Sequence, residues 1–84
     1  MAKVTLYSKP DCPLCDEARE ALDRIRARTP FDLELVDITA DPAVHAAYLE
    51  RIPVVAVDGE EAFELVVDER ELAVRIARGR ETVA

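Results

Sequence analysis

Two cysteines stand three positions apart in the stretch YSKPDCPLCDEAREAL, residues 7–22, and the 84-residue chain contains no others. Cys12 and Cys15 at this spacing fit three chemistries: a dithiol–disulfide redox couple, half of a thiolate metal site, or a structural crosslink. Magnitude ranks the crosslink lowest. Closing so small a loop stabilises a fold by only about 2 kcal/mol on the chain-entropy model, before any strain is subtracted. The opening residues MAKVTLYSKP hold too short an apolar run for an export signal. The expected setting is therefore the reducing cytoplasm, where an isolated cysteine pair is more often catalytic or metal-binding than structural.

A thiol attacks a disulfide only as its thiolate, and a free cysteine of pKa about 8.5 is only about 3% ionised at neutral pH. Cys12 is expected at the cap of a helix, where unpaired N–H groups and the helix dipole favour a negative sulfur. A depression of about two pKa units takes about 2.7 kcal/mol, of which a helix terminus supplies roughly 0.3–2 kcal/mol. The remainder falls to the Cys15 thiol, to amide N–H groups and to the charge of Lys9. Asp11, Asp16 and Glu17 act in the opposite direction. The expectation is a Cys12 thiol below its ordinary pKa, with Cys15 one turn deeper to resolve a mixed disulfide. Pro13 stiffens the turn without adding charge, and Leu14 reads either as a plain surface residue flanking the nucleophile or as an apolar collar for an incoming disulfide.

The elements that must position this pair follow from periodicity. Lys3 to Ser8, rich in Val, Thr, Leu and Tyr and followed by Pro10, reads as a strand. From Pro13 the apolar residues Leu14, Ala18, Ala21, Leu22 and Ile25 recur at helical steps, with Pro30 just beyond. Phe31 to Ile38 alternates as a second strand. Asp41 caps a short helix with Pro42 in its first turn, running to about Glu50. Pro53 opens VVAV, an apolar run that predicts a strand buried on both faces. Asp58-Gly59 signals a hairpin, with a fourth strand from Ala62 to Val66. Asp68 with Glu71 forms a capping box for a last helix whose buried face is Leu72, Ala73, Ile76 and Ala77. Gly79 is the expected C-terminal cap, with Arg80 to Ala84 as a frayed tail. The order β-α-β-α-β-β-α predicts one domain over residues 1–84, its first two strands parallel.

Composition narrows the partners. Half the residues are hydrophobic and 35% are charged, as in soluble globular proteins. A formal net charge of −7 repels phosphate backbones and anionic lipid, so neither nucleic acid nor membrane is an expected partner. The expected state is a monomer.

YSKPDCPLC, the order of elements and the later RIPVVAVDG together resemble a glutaredoxin or glutaredoxin-like member of the thioredoxin superfamily, over Val4 to about Ala77. A lone CxxC is weak; CxxC after a first strand, with Ile-Pro opening a later strand and then a hairpin and helix, is fairly specific. The resemblance implies a four-stranded mixed sheet flanked by three helices. It also implies a thiol–disulfide oxidoreductase, with Cys12 as nucleophile and Cys15 as resolving thiol. Lys9, Pro13, Leu14, Ile52 and Pro53 then contact substrate, with no metal and no tightly bound cofactor. The proline matching Pro53 is cis in that superfamily, and the residue before it pairs its backbone with an extended substrate segment. The residues alone make Pro53 an ordinary strand starter, because only about 5–6% of X–Pro bonds are cis.

This sequence also departs from typical glutaredoxins. Leu14 replaces a tyrosine, RIP stands for Thr-Val-Pro, and FELVVDERE lacks the Gly-Gly pair that brings backbone amides close to glutathione. These departures weaken the case for glutathione, although Asp68 remains as a partner for its ammonium and Arg51 for a carboxylate. The implied substrates are disulfide-bearing proteins or glutathione mixed disulfides, reduced at the expense of glutathione or a reductase.

Other residues read more plainly. His45 is a solvated helix residue, Tyr7 is partly buried, Tyr48 and Phe63 belong to the core, and Asp16-Glu17, Glu60-Glu61 and Asp68-Glu69 are solvated faces. Two further functions stay open. One is a metal or iron–sulfur module, which needs ligands from a second chain or from exogenous thiols because such sites usually take four. The other is an interaction module in which the redox chemistry is incidental.

Overall fold

Val4 and Leu6 alternate with Lys3, Thr5 and Tyr7, so the first strand has two faces to cover, and the fold covers them unequally. The structure, a computed structural model, describes residues 2–81. Its elements are β1 (Lys3–Ser8), α1 (Pro13–Arg26), β2 (Asp32–Asp37), a 3-10 turn (Ile38–Ala40), α2 (Pro42–Tyr48), β3 (Val54–Val57), β4 (Glu60–Glu64) and α3 (Glu69–Glu81). The strands form one sheet in the order β2-β1-β3-β4. β1 is parallel to β2 and antiparallel to β3, and β3 is antiparallel to β4. This mixed sheet with three helices is the thioredoxin-like layout that the resemblance implied.

One face of the sheet carries the main core. Val4, Leu6, Val55 and Val57 pack with Ala18, Leu22 and Ile25 of α1 and with Leu72 and Ile76 of α3. Arg24 of α1 and Glu69 of α3 bridge the two helices at the surface, the guanidinium donating to both carboxylate oxygens at 2.7–3.2 Å. The other face is covered by α2 and the 3-10 turn, where Cys15, Ile38 and Ile52 are buried together. β3 lies between these layers, and all four of its residues are buried, as the unbroken apolar run predicts.

Local chemistry fixes most boundaries. Asp41 accepts from the Ala43 N–H at 2.8 Å and caps α2, with Pro42 following. Asp68 accepts from the Glu71 N–H at 3.1 Å at the start of α3. Asp58 and Gly59 both have positive φ (51° and 88°), the geometry of a two-residue hairpin turn that matches strand twist.

Four elements differ in their bounds from the sequence expectation. The tight turn pairs Val57 with Glu60 at once, so β4 starts two residues early. It ends at Glu64 because Leu65 turns left-handed, at φ 65°. β2 is shorter than Phe31–Ile38: Phe31 is buried just ahead of it, and Ile38 begins the 3-10 turn capped by the Asp37 carboxylate. α2 stops at Tyr48, whose carbonyl accepts the N–H groups of Arg51 and Ile52. α3 runs through Gly79 to Glu81, so Gly79 is not a cap. One glycine within a helix costs about 1 kcal/mol against alanine, too little to end a helix flanked by good formers. Of the expected frayed tail, Arg80 and Glu81 are helical, and residues 82–84 lie outside the described residues.

Candidate functional site

Cys12 is the N-cap of α1, with extended backbone angles (φ −117°, ψ 100°) ahead of Pro13. Its sulfur accepts the Cys15 N–H at 3.2 Å, one of the amide groups that a helix start leaves unpaired. Cys15 lies one turn on, only 3% exposed, whereas Cys12 is half-buried at the edge of the same cluster. The two sulfurs are joined as a disulfide, with a Cα–Cα separation of 5.2 Å. The crosslink spans an outer and an inner sulfur, so a partner meets Cys12 first.

The expected substrate-contacting residues fall in two places. Lys9, Pro13 and Leu14 are exposed around the cysteines, and Leu14 retains 49% of its surface. Ile52, in the same apolar cluster as Cys12 and Cys15, and Pro53 are buried. The Ile52–Pro53 peptide bond is cis, as the resemblance implied. Asp68 caps α3, accepting from the Glu71 N–H, as its spacing to Glu71 predicts.

Two features beside the cysteines go beyond the sequence reading. The rings of Tyr7 and Tyr48 stack with centroids 4.4 Å apart and planes within 7°. Both are half-buried, so Tyr48 is less enclosed than expected, as is Phe63. Burial holds the Tyr48 phenol above its ordinary pKa, and the neighbouring Tyr7 and Glu61 add to this.

The second feature is a clamp on Arg51, immediately ahead of Ile52–Pro53. Its Nε donates to Glu64 at 2.7 Å, its Nη2 donates to Glu61, and its guanidinium lies 5.1 Å from the Tyr48 ring centre. Hydrogen bonds to Glu64 and then Glu61 hold it firmly protonated. Glu61 is exposed as expected and is in addition paired with Arg51. Spacing hides this pairing, because β4 carries a bulge: Val55 faces Phe63 while Ala56 faces Glu61, leaving Ala62 over. His45 also differs, being half-buried in α2.

The backbone joins these parts. The Leu65 N–H is shared between the carbonyls of Arg51 and Pro53, at 3.1 and 3.0 Å. That tie holds Leu65 left-handed, a conformation costing an L residue roughly 1–2 kcal/mol. Leu65 and Val66 remain 45% and 76% exposed.

A thioredoxin-like fold whose first helix starts at a pair of disulfide-bonded cysteines supports a redox type of function. Residues 3–77 match the family model described as Glutaredoxin-like domain (DUF836), and the chain belongs to that family. It is 32% identical to an uncharacterized protein of Mycobacterium tuberculosis, over 90% of this chain and 84% of the other. It is 30% identical to a probable thioredoxin of Methanothermobacter marburgensis, over 84% of this chain and 99% of that one. Among solved structures, a structural-genomics target protein from X. campestris superposes with a TM-score of 0.73 at 36% identity, covering 89% of this chain and 96% of the other.

Proposed function

We propose that the chain is a small thiol–disulfide oxidoreductase that reduces disulfides of other proteins through Cys12 and Cys15. The supporting observation is the unequal pair: Cys12 at the helix cap and within reach, Cys15 beneath it and bonded to it. In the reduced protein the cap position and the Cys15 N–H favour a Cys12 thiolate. That thiolate attacks one sulfur of a partner's disulfide, forming a mixed disulfide, and the displaced partner sulfur leaves as a thiolate and takes up a proton. Cys15 then gives up its proton and attacks the Cys12 sulfur, and the second partner thiol departs. Two electrons pass to the partner, and the protein ends as the Cys12–Cys15 disulfide.

Lys9 adds positive charge near the nucleophile, Pro13 and Leu14 shape its approach, and Ile52 with Pro53 lines the partner's backbone. Return to the dithiol takes an external thiol donor, glutathione or a dithiol reductase, with no bound cofactor. The setting is the cytoplasm and the acting species a monomer. Kinship with a probable thioredoxin favours protein disulfides as substrates, and so does FELVVDERE, where glutaredoxins have a glycine pair.

Reduced protein offered insulin and a glutathione mixed disulfide tests this reading. Turnover of insulin well above a Cys12→Ser control is expected, with pH-dependent alkylation showing a Cys12 thiol more acidic than free cysteine. Rates equal to the control on both substrates would sink the proposal.

A further inference from the structure

Leu14, Leu65 and Val66 form an exposed apolar set, and with Val67 they line a groove of about 320 Å³ between α1 and the loop from β4 to α3. Single exposed aliphatic residues are ordinary on a protein surface, but several in one groove beside a reactive pair mark a contact surface. The groove is also charged on one side. Glu17 and Glu20 line it from α1. Among the described residues neither has an ion-pair partner, while Arg24 and Glu69, which also line it, are paired with each other. Arg24 is also within Coulombic reach of Glu20, but it is one guanidinium against the three carboxylates Glu17, Glu20 and Glu69, so the apolar lining meets a rim that is negative on balance.

We propose that this groove seats the segment next to the partner's disulfide, and that the segment carries basic side chains among apolar ones. The proposal rests on the oxidoreductase reading and names its substrate class. Leu14 lies between the two cysteines, so a chain lying in the groove passes beside Cys12. The hydrogen bonds from Leu65 to the carbonyls of Arg51 and Pro53 tie the groove's loop to the Ile52–Pro53 segment, so the surface is formed in advance. Charge sorts the occupants. Glutathione, with two carboxylates and one ammonium, meets Glu17 and Glu20 as a net anion. An acidic segment does the same, and so does a second copy of this chain, with its net charge of −7. A basic segment is drawn to the rim and leaves its apolar side chains to cover Leu14, Leu65 and Val66.

Single-turnover reduction by the pre-reduced protein tests this, with two peptide disulfides that differ only in flanking Lys or Glu and with hydroxyethyl disulfide as a small neutral reference. At low salt the Lys peptide is expected to react about tenfold faster than the Glu peptide. In about 1 M salt, where screening acts within about 3 Å, the ratio falls toward unity. The double substitution Glu17→Gln and Glu20→Gln reduces the ratio to about twofold. Val66→Ser slows both peptides by about fivefold relative to the small disulfide. Equal rates for the two peptides while the small disulfide is reduced overturn this proposal alone, as does a Lys preference that survives the double substitution. Failure to reduce any of the three disulfides overturns the oxidoreductase reading and this proposal with it.

Discussion

The two faces of the sheet are built to different standards. Toward α1 and α3, eleven buried side chains make a continuous apolar core. Toward α2, only Cys15, Ile38 and Ile52 are buried in the cluster, collared by half-buried residues that include both tyrosines. α2 itself buries no residue. The first face supplies most of the apolar area removed from water, and with it most of the hydrophobic stabilisation. The second is thin, polar at its margin and holds the disulfide. The proposed exchange of sulfur partners requires an approachable Cys12, and a thick layer over it would prevent that.

This comparison is sharpened by substitutions that separate stability from reactivity. The largest effect is expected from Cys12→Ser, which drops disulfide turnover to background while the unfolding midpoint under reducing conditions stays close to the parent's. A midpoint collapse would show that the thin face carries more stability than its burial implies. Leu22→Ala on the thick face should cost about 2–5 kcal/mol in denaturant unfolding, because Leu22 is fully buried. Its rate per folded molecule should stay unaltered, and a lost rate would erase the distinction between the faces.

A smaller effect concerns acid. Hydrogen bonding from Arg24 lowers the Glu69 pKa, and hydrogen bonds from Thr39 lower that of Asp37. A depressed carboxylate contributes stability above its unfolded pKa, and that contribution is lost as pH falls through the folded value. Stability should therefore decline below about pH 4, and Glu69→Gln should flatten part of that limb. An unchanged limb would remove the α1–α3 bridge from the account. The smallest effect is expected from Leu35→Ser on the edge strand β2. With Leu35 48% exposed, the midpoint should move by no more than about 0.5 kcal/mol equivalent.

Where one residue and its neighbours decide the structure, the sequence is readable. The Pro13 start of α1, the Asp41 and Asp68 caps, the Asp58-Gly59 turn and the buried VVAV strand all occur as expected, each set by chemistry within about four positions. The placing of Cys12 above Cys15 is legible for the same reason. What escaped depends on partners distant in sequence. Arg51 finds Glu61 and Glu64 only through the pairing of β3 with β4, and the bulge at Ala62 scrambles the alternation that would advertise it. Leu65 and Val66 look like strand residues until the hairpin register leaves them outside. The Tyr7–Tyr48 stack is likewise a product of α2 folding back over β1.

The sheet has two outer strands, β2 and β4, and both are studded with carboxylates: Asp32, Glu34 and Asp37 on one, Glu60, Glu61 and Glu64 on the other. An open strand edge invites a neighbour to extend the ladder, and like charges together with the kink at Ala62 discourage it. Lys3 reaches Glu34, and Arg51 holds Glu61 and Glu64, so among the described residues the border acids without a basic partner are Asp32 and Asp37 on β2 and Glu60 on β4. Acidity that looks incidental in the composition thus stands on the two borders where a further strand would have to add.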